Sequence, residues 1–278
     1  MTVRIVTDST CNLSDEDVAR YGIQVVPLVI HFGTEEYLED VTMDRDLFYH
    51  KIEAEEMMPT TSQPAPGQFA DAYRPLVGDP ILCLTITSKH SGTYQSAMLA
   101  ADMVPGADVA VFDTLSITMG TGFMVLEAAR MAEAGHSREE ILARLEQVRA
   151  GMYVVFTPAT LKYLQMSGRV GRLSGVVASI LNLRPIVDVE DGLLEAREKV
   201  RTRGRSLDRL VERMAERVGT DSPVRLAVIH ARAPDEAQTL ATRLPDTFQC
   251  DEVPAVDLVS TLAVHGGPGI IGIIGYRL

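Results

Sequence analysis

The chain has no tryptophan, only 5% aromatic residues and three cysteines, and its 26 lysines and arginines are outnumbered by 38 acids. Each shortage excludes something. Few aromatics leave no platform on which bases or sugar rings could stack. Cys11, Cys83 and Cys250 are odd in number and lack C-x-x-C spacing, so they offer neither a disulfide framework nor a zinc site. The net charge of −12 repels nucleic acid and anionic membrane at long range. No apolar run approaches the ~20 residues of a membrane span. At the start, Val3-Arg4-Ile5-Val6 runs directly into Thr7-Asp8-Ser9 rather than into a signal-peptide core. These absences lead us to expect a cytoplasmic protein. The six histidines show no metal-ligand spacing, and neither a Walker loop nor a G-x-G-x-x-G after a strand occurs, so no metal and no cofactor are expected.

What is present is an ordinary globular composition, 46% apolar over 278 residues, enough for two modest domains. In the first half strand and helix signals alternate. Val3–Val6, Ile23–Ile30 (broken by Pro27), Ile81–Ile86, Val109–Phe112 and Met152–Phe156 read as strands. Ser14 and Ser137 stand where helix caps belong, each with acids in the following turn. Pro59–Pro66 reads as a loop, followed by a helix over Gly67–Arg74. This rhythm predicts a parallel sheet with helices on both faces, ligands lying beyond the carboxyl ends of the strands. The turns there, Thr7–Thr10, Thr87–Gly92 and Asp113–Ser116, are rich in hydroxyls.

From about Thr157 the rhythm changes. Gly168–Leu181 reads as a helix with an apolar stripe of Val170, Leu173, Val176, Val177 and Ile180. Asp191-Gly192 predicts a β-hairpin between Arg184–Glu190 and Leu193–Arg203. Helices over Ser206–Val218 and Asp235–Leu244, and strands over Val224–Ile229, Gln249–Val253 and Gly269–Tyr276, follow. The expected fold is α/β in two domains. An N-terminal three-layer αβα domain with a parallel sheet would span 1–157, and a C-terminal α/β domain with a mixed sheet 158–278, segment 57–75 being free to pack with the second.

Three polar clusters compete as binding sites. Ser91-Gly92-Thr93-Tyr94-Gln95-Ser96-Ala97 joins an apolar strand to a helix, so its backbone amides and roughly half a positive charge from the helix dipole suit an anion. It also reads simply as a helix cap. Thr60-Thr61-Ser62-Gln63-Pro64 is either a surface turn or a set of hydroxyl donors. His265-Gly266-Gly267-Pro268-Gly269 implies a backbone that comes close to something. A serine hydrolase acting on acyl esters through Ser91 (or Ser96), His265 and Asp257 is the alternative, although the G-x-S-x-G elbow is missing. Arg197, Lys199, Arg201, Arg203 and Arg205 fall at every second position. They form either a solvated face balanced by Glu195 and Glu198 or a docking patch for an acidic partner, which Arg169, Arg172, Arg209 and Arg213 extend.

Taken together, Thr7-Asp8-Ser9-Thr10-Cys11, Thr61-Ser62-Gln63-Pro64, Ser91 through Ala97, Gly168-Arg169, Lys199-Val200-Arg201-Thr202 and His265 with Gly267-Pro268-Gly269 resemble the DegV family. Members of that family are fatty-acid-binding (FakB-type) subunits of bacterial fatty acid kinase. Ser167 stands where a glycine is common, and Tyr37-Leu38-Glu39-Asp40 matches the family only in part. The resemblance implies one long-chain fatty acid in a tunnel between two domains. Its carboxylate would meet Thr61, Ser62, Ser91 and His265, with Gly92, Gly267 and Gly269 as a supporting loop. A separate kinase would phosphorylate the bound acid, with Arg169, Arg201 and Arg203 serving transfer or docking. The chain itself would then be a lipid carrier rather than an enzyme, in at most transient contact with membrane. A small-molecule-binding regulator without a kinase is the third reading.

Overall fold

The computed structural model describes residues 2–55, 57–169 and 183–278. Of the helix expected over 168–181, all but Gly168 and Arg169, including its apolar stripe and Arg172, lies within 170–182, outside the described residues. The chain divides into two compact units, Met1–Arg149 with Val259–Thr261, and Ala150–Leu258 with Leu262–Leu278.

The first unit holds a parallel sheet of β1 (Arg4–Asp8), β2 (Gln24–Val26), β6 (Pro80–Thr85) and β7 (Asp108–Asp113), in the order β2-β1-β6-β7. Val6, Ile81 and Cys83 pack under helices Pro66–Tyr73 and Thr93–Asp102, together with Phe69, Tyr73 and Ala97. The alternate residues Ile5, Leu82 and Leu84 are equally buried, and helix Met119–Glu133 packs on β1 and β6. Alternation along a strand thus feeds two cores, one on each face, as the expected three layers require. Burial pushes the Cys11 and Cys83 thiols up to about 12, so both stay protonated.

Pro27 does more than interrupt a strand. It separates β2 from β3 (Val29–Phe32), which leaves the parallel sheet and pairs antiparallel with β4 (Glu35–Leu38) and β5 (Thr60–Ser62) in a second small sheet, order β4-β3-β5. The stretch expected as a loop over Pro59–Pro66 therefore contains a strand. Three paired residues carry too little periodicity to be recognised between prolines.

The second unit is a mixed sheet of β8 (Tyr153–Thr157), β9 (Arg184–Glu190), β10 (Leu193–Val200), β11 (Val224–His230), β12 (Ala255–Asp257) and β13 (Ile271–Arg277), in the order β10-β9-β8-β13-β11-β12. All its pairs are antiparallel except β11 with β12. The division expected after residue 157 thus falls after Arg149: β8 pairs with β9 and β13, not with the parallel sheet. Segment 57–75 belongs to the first unit. The strand expected over Gln249–Val253 forms instead at Ala255–Asp257, beyond Pro254. The hairpin turn is as expected, Asp191 and Gly192 both having positive φ (49° and 77°), the pair of left-handed residues a type I′ turn requires.

The arginine stripe is interrupted. β10 ends at Val200, its register shifts between Ala196 and Glu198, and Thr202 caps a helix that starts at Arg203 with its hydroxyl accepting from Arg205 N–H at 3.2 Å. Arg203 and Arg205 therefore lie on a helix rather than on the strand face. Most of these cations are matched by acids. Arg197 meets Asp188, Glu190 and Glu195; Arg203 grips Glu236; Arg205 meets Glu212; Arg209 meets Glu198, Glu212 and Glu216. Arg201 is exposed and has no ion-pair partner among the described residues.

Candidate ligand-binding site

The three hydroxyl-rich turns follow β1, β6 and β7 at the carboxyl edge of the parallel sheet, and they are tied to one another. Asp8, fully buried, accepts from the Thr10 amide at 3.0 Å, the Thr10 hydroxyl at 2.5 Å and the Ile86 amide at 2.8 Å. Burial raises its pKa and the three bonds oppose that rise. The Thr87 amide donates to the Ser116 carbonyl at 2.9 Å, and the Ser88 amide to Asp113 at 3.2 Å.

On this frame sits the Ser91 turn. Gly92, not Ser91, is the N-cap of helix Thr93–Asp102, so the N-cap residue itself contributes no side-chain bond. Ser91 Oγ instead lies 2.8 Å from Thr93 Oγ1 and accepts a long bond, 3.3 Å, from the Thr93 amide. The first turn thus keeps donors available for an acceptor from elsewhere. Gly92 has an identifiable neighbour: a Cβ there would stand 3.0 Å from the Gln63 amide nitrogen. The Thr-Ser-Gln-Pro and Ser-Gly-Thr-Tyr motifs, distant in sequence, therefore meet through Gln63 and Gly92. Sequence reasoning passed over Gln63, although it lies inside the first motif.

Thr61 and Ser62, expected together at one carboxylate, project from opposite faces of β5, because successive strand residues alternate. Ile30 pairs with Thr61 and Tyr37, and that face is buried against Phe48, which meets Phe32 edge to face. Ser62 shares the other face with His31, whose Nε2 lies 2.9 Å from Ser62 Oγ. His31 in turn pairs with Glu36, Nδ1 to carboxylate 3.5 Å. The Ser62 hydroxyl is thus engaged by a histidine that carried no sequence signal beyond its place in a strand.

A second buried carboxylate lies close to β4. Glu39, 1% exposed, accepts from the Ser9 hydroxyl, the Thr261 amide and the Thr261 hydroxyl, each at 2.6 Å. Burial still dominates and pushes its pKa up to about 7.

In the second unit, His265 is half-buried near the end of helix Ser260–Gly266. The glycines after it answer to the protein's own packing. Gly267 has φ +73°, and a Cβ there would fall 2.1 Å from the Tyr163 ring; a Cβ on Gly269 would meet Ala159 at 3.1 Å. The backbone approaches Tyr163, a partner with no signal in the sequence. Asp257, expected to orient His265 in a hydrolase triad, faces the buried His230 instead, Nδ1 to carboxylate 3.3 Å. Arg169 donates to the Ser167 carbonyl at 2.6 Å. Among the described residues, no group of three or more His, Cys, Asp and Glu is arranged to hold a metal ion, and no helix is long and apolar enough to cross a membrane.

The family model for the uncharacterised DegV family matches residues 2–277. The chain belongs to the DegV family. It is 35% identical over 277 residues to a DegV domain-containing protein of Halalkalibacterium halodurans, covering 99% of this chain and 98% of that one. Among solved structures it is similar to a fatty-acid-binding DegV family protein from Thermus thermophilus, at TM-score 0.94 and 33% identity with full coverage of both chains. It is also similar to DegV, a fatty acid binding protein from Bacillus subtilis, at TM-score 0.92 and 30% identity, again over both whole chains. Membership agrees with the expected α/β architecture of a parallel and a mixed sheet.

Proposed function

We propose that this chain binds one long-chain fatty acid and presents its carboxylate to a separate kinase. The observation that carries the reading is the full-length likeness to DegV proteins described as fatty-acid-binding. The chemistry of the Ser91 turn supports it. Hydroxyls and helix-terminal amides are neutral donors, suited to holding an anion without a metal. In this reading Thr61, Ser91 and His265 are the head-group donors, Gly92 lets Gln63 close over the turn, and Ser62 serves from behind, through His31. Burial of the tail supplies most of the affinity, about 0.8 kcal/mol per methylene, and the donors offset the desolvation of the carboxylate.

The kinase partner is the finer part of the proposal. Arg201, exposed and without an ion-pair partner among the described residues, and Arg169 are its candidate contacts. Arg203, gripped by Glu236 through two bonds of 3.1 and 3.0 Å, is the weaker candidate. Solvent extraction and mass spectrometry of the purified chain test the reading. A stoichiometric fatty acid, or uptake of added oleate, is expected; absence of both would overturn it. With a kinase in hand, Arg201→Ala should lower phosphorylation of bound acid while leaving oleate affinity unchanged, and the reverse pattern would exclude a docking role.

A further inference from the structure

β5 is the edge of the small sheet, three residues long and paired only to β3. A ladder that short holds an edge strand weakly. A side-chain bond supplements it. The register sets His31 diagonally across from Ser62, within reach on the same face, and the 2.9 Å Nε2–Oγ contact closes the gap. Glu36, directly opposite His31 on β4, lies 3.5 Å from Nδ1. A proton on Nδ1 facing that carboxylate leaves Nε2 to accept from the Ser62 hydroxyl. The chain Glu36–His31–Ser62 thus runs across all three strands and pins the edge strand to the middle one.

What lies on the opposite face of β5 gives this clasp a consequence. Thr61 projects there, and a β-branched side chain has little χ1 freedom, so the backbone position largely decides where its hydroxyl points. Gln63, the next residue but one, is pressed against Gly92 of the Ser91 turn. A small displacement of β5 would therefore misplace the Thr61 hydroxyl and loosen the Gln63 contact together.

We propose that His31 is a positioning residue for the head-group site: by holding Ser62 on one face of β5, it sets the Thr61 hydroxyl on the other. This rests on the fatty-acid reading above, with Thr61 as a carboxylate donor. It predicts a loss specific to the head group. A merely structural His31 would weaken binding of any ligand with the same tail.

The experiment compares oleate with oleyl alcohol, which keeps the tail and lacks the charge, by competition against a fluorescent fatty acid on delipidated full-length chain. His31→Ala should weaken oleate on the order of tenfold, the scale of one hydrogen bond to a charged group, with oleyl alcohol changed less than about twofold. His31→Gln, whose amide oxygen can take over the acceptor role of Nε2, should restore most of the loss, and the shorter His31→Asn should not. In a Thr61→Ala background, His31→Ala should lose most of its effect on oleate, only the share carried by the Gln63 contact remaining. Equal losses for both ligands, an undiminished loss in the Thr61→Ala background, or oleate affinity unchanged in His31→Ala would overturn the assignment. Melting curves identify a variant that fails to fold, in which case His31→Asn against His31→Gln carries the comparison. Failure of the fatty-acid reading itself shows separately, because the unmutated chain would then bind neither ligand.

Discussion

Glu39→Gln should change how stability depends on pH, with a sign opposite to that of a carboxylate in a salt bridge. Glu39 is buried and its three donors do not offset the loss of water, so its pKa stands at about 7 rather than near 4.5. The charge of Asp40 pushes it the same way, and the Cys11 thiol, which senses Asp8 and Glu39 alike, stays neutral throughout this range. Between pH 4.5 and 7 the folded chain holds a proton that the unfolded chain has released. Stability from this group is therefore greatest below pH 4.5, declines as pH rises to about 7, and stays low above. At 1.36 kcal/mol per unit the difference is about 3 kcal/mol. Glutamine keeps a carbonyl acceptor for the Thr261 amide and cannot ionise. Urea unfolding followed by circular dichroism at pH 5, 6, 7 and 8 would test this. Asp8, also buried and raised, contributes equally to both proteins and cancels from the difference. The variant should gain about 3 kcal/mol relative to the unmutated chain between pH 5 and pH 8. Parallel stability profiles would refute the reasoning, showing that Glu39 does not titrate differently in the fold.

Ser91→Ala combined with His265→Ala should weaken oleate at least tenfold with the melting temperature unchanged, read by the same competition assay; undiminished affinity would remove both from the head-group site. Gly267→Ala should cost about 2–4 kcal/mol, since its Cβ meets the Tyr163 ring at 2.1 Å on a backbone with φ +73°. A variant as stable as the parent in urea would show that Tyr163 moves aside freely. Arg213→Ala should destabilise by about 2 kcal/mol, because it donates at 2.8 Å to Asp188, whose side chain is 3% exposed and would keep only Arg197 as an ion-pair partner. The exposed Arg205→Ala should cost less than about 1 kcal/mol in the same assay, and equal effects would contradict the burial argument.

Much of the fold was legible because its signals are local. Ser14 and Ser137 cap their helices as read, the Ser14 hydroxyl accepting from Asp17 and the Ser137 hydroxyl from Glu140. Asp191-Gly192 turns the hairpin, and strand–helix alternation gives the parallel sheet. These signals act within about four residues, which a sequence displays directly. The position of the Ser91 turn was legible to a similar depth: it does follow a strand of the parallel sheet at the carboxyl edge.

Tertiary structure alone decided which partners those residues face. Nothing local in Tyr153–Thr157 tells that its neighbour is Ile271–Arg277, more than a hundred residues later, rather than the preceding parallel strand. Asp257 could have oriented His265 but stands against His230. The glycines near His265 signalled a close approach and could not name Tyr163. Thr61 and Ser62, adjacent in sequence, were separated to opposite faces by the pleat once β5 paired with β3. Of the alternating arginines, Arg197 met Asp188 across its hairpin and Arg203 met Glu236 on a distant helix. Residue type sets what a side chain can do, and strand pairing, side-chain direction and long-range charge set what it is given to act upon.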